Sequence, residues 1–589
     1  MNPDLDPRLR LVGVGVGVVL IAGYVVAFAG AYAAQPWVTL AAILVIHAAE
    51  PFADRSVFVR PVLRRAQMGP AARSILRDAA VLMLVANAAW ATGNRERGLE
   101  RTIAIVVLAR FATLLLNVVV RRRVQLALEV RNLGVPQVGL PRPAWLYDDD
   151  LPLRLHYVTA VAALGVTLAV GVQNETVGLV SGWVTDAALA VLVVIMLIHL
   201  VQSRRHPRAQ FQAAVEAAVD ALAPRLMLYF SGSADSSYQL TMWLSTLERL
   251  GEPSVVVLRE RVHLRQLPET AVPIVCVPAA TDFMAFGWRS IRVAAYVANV
   301  GKNIHMLRER GVRHVFIGHG DSDKTGSFSP FSKVYSEIWV AGPAGRERYL
   351  RARVGIRDDE IVEVGRPQLV GIERERAIAP DDAMVVLYAP TWEGWPGDPP
   401  HSSLANAGER IVAGLLATPN VRIVYKPHPL TGSVSSAARV ANDRVIAMLG
   451  SAGGDHTVVT GSSPSLYECF NQADALVGDI SSVVTEFLAS EKPYLMANLH
   501  DLPDDQFRTE FASAAGAYLL RADGSGVEAA LAAIRSGDPL RPDRLRTRRH
   551  LLGDGDAGDI RPFEQAIDTA AASAAQLWPD RAELAGTLD

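Results

Sequence analysis

Two regimes of hydrophobic patterning divide the chain. Up to about residue 205, long uncharged apolar runs are separated by short arginine-bearing linkers. From about Ala209 onward, short apolar runs alternate with helical stretches. The first pattern predicts membrane-spanning helices, each needing about 20 apolar residues. The second predicts strands and helices in turn, and hence parallel sheets.

Leu11–Ala34 is long enough to span a bilayer and too long for a signal-peptide core. Further spans are expected at Pro36–Ala49, Ala79–Thr92, Thr102–Val120, Val158–Val172 and Val184–Val201, about six in all. Arginines cluster between the second and third spans (Arg55, Arg60, Arg64, Arg65, Arg73, Arg77), after the fourth (Arg121, Arg122, Arg123) and after the last (Arg204, Arg205, Arg208). The positive-inside rule then puts the N-terminus and everything after Arg204 in the cytoplasm, although the Asn94–Arg101 linker runs against it. Arg110 falls inside the fourth span, and His47 and Glu50 lie near the end of the second, where they are expected to reach the interface. Ionisable groups at such depths are functional candidates.

In the second regime, Leu226–Phe230, a Gly/Ser loop at Ser231–Ser237, a helix at Tyr238–Leu250 and Ser254–Leu258 read as a βαβ unit. The loop lacks both the Rossmann and the Walker glycine spacing. Strands are expected at Ile274–Val277, His314–Gly318, Glu337–Ala341 and Ile361–Val364. A polar segment, Arg374–Asp382, precedes a second series at Met384–Tyr388, Val421–Tyr425, Thr457–Val459, Ala475–Val477 and Tyr494–Met496. Two such series predict two Rossmann-like domains facing across a cleft, with ligands beyond the carboxyl ends of the strands. The expected divisions are 1–205 (transmembrane), 206–375 (first Rossmann-like domain) and 376–589 (second Rossmann-like domain).

Composition narrows the function classes. A formal net charge of −2 over 589 residues leaves no electrostatic footprint for nucleic acid. Cys276 and Cys469, the only two cysteines, exclude a disulfide scaffold or a structural zinc set.

The unusual residues cluster at four strand ends: His319-Gly320-Asp321-Ser322-Asp323-Lys324, Ala389-Pro390-Thr391-Trp392-Glu393, Lys426-Pro427-His428-Pro429 and Gly478-Asp479-Ile480-Ser481-Ser482. A histidine after a strand and beside glycine suits a general base. Lysine and histidine in a proline-stiffened loop suit phosphate oxygens. A helix opening at Asp479–Ser482 presents N–H groups and hydroxyls to an anion, with Glu486 a turn further in to reach a ribose hydroxyl. Each motif has a plain alternative as a cap, rigid turn or packing residue. Their shared placement in two consecutive series makes coincidence the weaker explanation.

Taken in order, these motifs resemble the CDP-glycerol glycerophosphotransferase family, the teichoic-acid primases and polymerases of bacterial walls. The resemblance rests on His319-Gly320 with Lys324, Tyr388–Trp392, Lys426–Pro429, and Asp479-Ile480-Ser481-Ser482 with Glu486. Gly365-Arg366-Pro367 and Gly553–Ala557 resemble the family's interdomain Gly-x-Pro and closing glycine-rich segment, and the likeness runs from about Asn299 to Ile567. It implies a GT-B arrangement and transfer of a phospho-alcohol from a CDP-linked donor to a hydroxyl of a lipid-linked glycopolymer, with release of CMP. His319 and His428 would be catalytic, with their roles interchangeable. Lys426, Thr391, Asp479, Ser481, Ser482 and Glu486 would hold the donor, while Gly320 and Lys324 face the acceptor. No metal or other cofactor is expected at these motifs. The expected setting is a bacterial cell membrane, with a multi-pass anchor among its lipids and a cytoplasmic catalytic part. Asp321 and Asp323 depart from the family pattern, and two carboxylates there would repel an anionic acceptor unless they face elsewhere. The alternatives are a GT-B glycosyltransferase using a nucleotide sugar and a non-catalytic membrane receptor for a nucleotide. The presence of both histidines counts against the receptor.

Overall fold

The computed structural model describes residues 7–55, 59, 62–63, 66–92, 97–124, 128–135, 151–203, 208–324, 329–374, 382–394, 401–461 and 463–579. Arg60, Arg64, Arg65, Arg204 and Arg205, on which part of the orientation argument rests, lie outside them, as does most of the expected 374–382 linker. The chain divides into two compact units: a helical one (5–126 and 137–211) and an α/β one that includes 127–136 and 212–589.

In the helical unit, six long helices follow one another: α1 (Pro7–Tyr32), α2 (Pro36–Arg55), α3 (Pro70–Thr92), α4 (Arg97–Val124), α5 (Leu151–Val172) and α6 (Glu175–Ser203). Among the described residues, five are long and apolar enough to cross a membrane; α3 is not one of them. The third span expected at Ala79–Thr92 is the end of α3, whose first half carries Arg73, Arg77 and Asp78. Small residues bring the helices close, as where Gly165 of α5 faces Ser181 of α6 with no room for a Cβ. The outer faces are apolar: Ile21, Leu108, Leu115 and Trp183 are each about 70% exposed, a surface suited to lipid. The interior holds a polar cluster. Glu50, expected at an interface, is instead fully buried against His156.

The α/β unit contains two sheets. The first has the order β1-β4-β3-β2-β5-β6-β7-β8. Its strands are β1 (Glu129–Arg131), β2 (Leu226–Phe230), β3 (Ser254–Leu258), β4 (Ile274–Cys276), β5 (Val293–Tyr296), β6 (Arg313–Phe316), β7 (Glu337–Val340) and β8 (Ile361–Glu363). All neighbours are parallel except β1, which runs antiparallel along β4. A piece of the stretch expected to be wholly transmembrane thus closes the edge of this sheet. The second sheet, order β11-β10-β9-β12-β13-β14, is parallel throughout. It comprises β9 (Met384–Ala389), β10 (Val421–Tyr425), β11 (Thr457–Val458), β12 (Ala475–Gly478), β13 (Tyr494–Ala497) and β14 (Tyr518–Leu520).

Both orders are doubly wound, reversing between β2 and β5 and between β9 and β12. This is the expected pair of Rossmann-like domains in a GT-B arrangement. The helix Arg561–Leu577 ends the described chain on the first domain, where Phe563, Ala566, Ile567, Ala570 and Ala571 join the core built on β2, β3 and β5. The expected C-terminal block of 376–589 therefore contributes its last helix to the other domain's core.

Candidate active site

The loops that follow β9 and β12 leave the second sheet at its reversal point, and the loop after β6 meets them from the first sheet. Gly318, at φ +60°, makes the turn that ends β6, and its carbonyl accepts from Trp243 Nε1 at 2.9 Å. Gly320 then passes so close to the second domain that a Cβ there would lie 2.9 Å from the Cβ and Oγ of Ser482.

His319 and His428 come from different domains and share one neighbour. The Tyr238 ring stands edge-on to both, with centroids 5.9 and 6.2 Å away. Trp392 stacks on the other side of His428 at 6.1 Å. Their backbone partners differ in kind. His319 Nδ1 donates to the carbonyl of Val297 (3.3 Å), leaving the lone pair on Nε2. His428 Nδ1 accepts from the N–H of Leu430 (3.1 Å), leaving the proton on Nε2. Burial pushes both imidazoles down to about 4, with Arg366 adding to the effect at His319 and Lys324 at His428. Both rings are therefore neutral near pH 7.

Each remaining expected site residue has a definite place. Lys324 Nζ reaches across to Thr391 Oγ1 at 2.9 Å. The N–H of Thr391 and that of Ser403 donate to Asp479 Oδ2 at 2.8 and 3.1 Å. Asp479 is fully buried, and burial pushes its carboxyl up to about 6. It ties the β9 and β12 loops together rather than facing the cleft. Ser481 is the residue before the helix Ser482–Phe487, but its hydroxyl makes no cap; it donates to the carbonyl of Asp479 at 3.3 Å. Lys426 Nζ donates to the carbonyls of Gly461 (3.1 Å) and Pro464 (2.9 Å), and burial lowers its pKa. Glu486 pairs with Arg366 at 2.8 Å through one oxygen and accepts from the Tyr467 hydroxyl at 3.2 Å through the other.

The two departing carboxylates share one cationic partner. Arg348 pairs with Asp321 and, at 2.8 Å, with Asp323. The second oxygen of Asp323 accepts from the N–H of Ser513 at 2.8 Å.

Four residues that sequence reasoning passed over shape the site. Tyr238 opens the helix after the Gly/Ser loop and stands against both histidines. Arg366, quoted only as the middle of Gly-x-Pro, also donates to the carbonyl of His319 at 2.7 Å. Glu393 gathers the N–H groups of Gly432, Val434 and Ser435 at 2.9–3.1 Å, shaping the turn after Lys426–Pro429. Arg348 is the fourth. Arg366 and Glu393 had a signal, since each lies within a quoted motif.

Residues 350–503 match the family model described as CDP-Glycerol:Poly(glycerophosphate) glycerophosphotransferase. That segment holds Gly365–Pro367, Tyr388–Trp392, Lys426–Pro429 and Asp479–Glu486, but not His319. Among solved structures, the wall teichoic acid polymerase TagF is 12% identical, with 63% of this chain and 96% of that one covered and a TM-score of 0.41. A UDP-N-acetylglucosamine 2-epimerase is 15% identical over 59% of this chain and 96% of its own, with a TM-score of 0.38. A glycosyltransferase from Rickettsia africae ESF-5 is 9% identical over 60% and 98%, with a TM-score of 0.37. These structural likenesses carry no statement about chemistry. No curated protein matches. The family match covers residues 350–503 and three of the four motifs, and it supports a CDP-glycerol glycerophosphotransferase-like transferase.

Proposed function

We propose that this chain is a membrane-anchored glycerophosphotransferase. It moves a phospho-alcohol, glycerol phosphate or a close relative, from a CDP-linked donor to a hydroxyl of a lipid-linked cell-wall glycopolymer and releases CMP. The observation that supports this most directly is the pair of neutral histidines with opposite tautomers, one from each domain, both edge-on to Tyr238.

In this reading the acceptor oxygen attacks the β-phosphorus of the donor. A new P–O bond forms as the bond from that phosphorus to the CMP oxygen breaks, and the acceptor proton passes to Nε2 of His319. His428 cannot take that proton, because its Nε2 already carries one; it donates to a phosphate oxygen instead. Lys426, Thr391, Ser481 and Ser482 answer the charge that develops on the departing CMP. Asp479 supports them by fixing the loops, and Glu486, held by Arg366 and Tyr467, turns toward the ribose side. Gly320 and Lys324 border the acceptor. Residues 206–375 form the acceptor-side domain and 376–560 the donor domain, with the helical unit as the anchor in a bacterial membrane and the α/β unit cytoplasmic. The apolar outer faces of α1, α4 and α6 support the anchor.

The test is nucleotide release by the protein in membranes offered CDP-glycerol, CDP-ribitol and UDP-sugars in parallel. CMP release from a CDP-alcohol is expected, falling on the order of 10²–10⁴-fold in His319→Ala. UDP release from a UDP-sugar would replace this reading with a glycosyltransferase. Binding of CDP-glycerol without turnover would leave a receptor.

A further inference from the structure

We propose that His47, Glu50 and His156 form a transition-metal site inside the helical unit, of the two-histidine, one-carboxylate kind that takes Zn2+. It stands apart from the transferase motifs, where no metal was expected.

His47 and Glu50 lie one turn apart on α2, and His156 comes from α5. Their ligand atoms lie within 4.8 Å of one another. Glu50 Oε2 is the meeting point, 2.6 Å from His156 Nε2 and 3.0 Å from His47 Nδ1. The side chains of Glu50 and His156 are wholly buried.

Proton accounting makes the site more than a cluster. The Ser74 hydroxyl donates to the carbonyl of Pro70 at 2.9 Å, so it accepts from His156 Nδ1 at 2.7 Å. That bond puts a proton on Nδ1 of His156 and leaves Nε2 as the ring atom that faces a carboxylate oxygen. At 2.6 Å a positive charge stands between the two atoms, a proton or, with the contact opened, a metal ion. The arrangement is also the usual outer support of a metal-bound histidine, whose second nitrogen donates to a neighbouring oxygen. The Tyr24 hydroxyl lies 3.4 Å from the other oxygen of Glu50 and 3.3 Å from the carbonyl of Arg73, with one proton to serve the two.

Each nearby arginine has a closer partner than Glu50, although Arg73 also pairs loosely with it. Arg73 binds both oxygens of Asp54 at 2.9 Å and stays 3.7 Å from Glu50, while Arg77 and Arg110 hold Asp78 at 2.7 and 2.6 Å. These three arginines and three carboxylates balance in charge, so a divalent ion calls for an anionic fourth ligand such as hydroxide. Three protein donors leave that position open. Metal–ligand bonds of about 2.0–2.2 Å need the donors roughly 3.3 Å apart, a small opening of the two contacts to Glu50.

The experiment uses the full chain in detergent, stripped with a chelator and dialysed against Zn2+ or Co2+. Elemental analysis is expected to find about one Zn2+ per chain, and Co2+ to give the visible ligand-field bands of a four-coordinate N/O site. Glu50→Gln and His156→Ala should lose the metal. His47→Gln, at the ligand nearest the unit's surface, should weaken it while the fold, followed by circular dichroism, persists. The Co2+ spectrum needs no variant and so is independent of any folding defect. Stripped wild-type protein that takes up neither ion would overturn the proposal and assign the Glu50–His156 contact to a shared proton. Uptake undiminished in all three variants would overturn it equally, placing the ion elsewhere.

Discussion

At the scale of single residues, the backbone decides what each histidine does. The Val297 carbonyl and the Leu430 N–H select opposite tautomers, so neither ring can replace the other without a flip. Because burial holds His319 at about 4, the acid limb of kcat/KM is expected near pH 4 rather than at the ordinary 6.5. Rate profiles on a CDP-alcohol donor would check this, and a limb at 6.5 would contradict it. The same shifts bear on stability. Between pH 6.5 and 4 the unfolded chain protonates both histidines while the folded one does not, so their contribution is complete above 6.5 and lost as pH falls toward 4. Asp479, raised from 3.8 to about 6, has the opposite sign: it favours the fold at low pH and loses that effect as pH rises through 6. Two groups oppose one, so the thermal midpoint should rise with pH across this window. His319→Gln combined with His428→Gln should reverse the slope.

At the scale of elements, the site is a set of strand-end loops held by internal carboxylates. Asp479 binds the β9 loop, and Glu393 shapes the loop after β10. Asp479→Ala would strand the buried N–H groups of Thr391 and Ser403, at about 1–3 kcal/mol each. A lowered unfolding midpoint, with nucleotide affinity reduced alongside, is the expected reading. Gly320→Ala tests the contact between loops. Its Cβ would meet Ser482 at 2.9 Å and push the two domains' loops apart. The shift needed is tenths of an ångström, so turnover is expected to fall by up to about 10²-fold, and nucleotide release measured beside CD-monitored folding separates the two effects.

At the scale of the whole α/β unit, two of the links between the domains can be tested separately. One is Arg366, which links the carbonyl of His319 to buried Glu486. Arg366→Met would leave that carboxylate buried without its cation, at about 3–5 kcal/mol, and adding Glu486→Gln should recover most of the loss. Denaturant titration of the single and double variants measures it. The other is the helix Arg561–Leu577, which returns from the second domain to the first. Arg249 anchors the crossing by donating to the carbonyls of Pro367 and Gly558 at 2.8 and 3.0 Å. Ending the chain after Gly558 should open the first domain's core to protease while the second sheet stays resistant.

What could be read from the sequence alone was whatever depends on neighbours close along the chain. Apolar run length announced the long helices, and alternating strands and helices announced two parallel sheets. The four motifs stood out because each follows a strand directly. Short or alanine-rich strands such as β5 and β14 escaped notice, having too little periodic signal. The tertiary structure alone decided which distant groups meet. Arg348 pairs with both Asp321 and Asp323, β1 joins a sheet whose other strands begin almost a hundred residues later, and His156 buries Glu50 from 106 residues away. Charge pairing, burial and tautomer are set by what packs against a side chain in space. No local spacing encodes that, so the residues were legible in the sequence and their roles became so only in the fold.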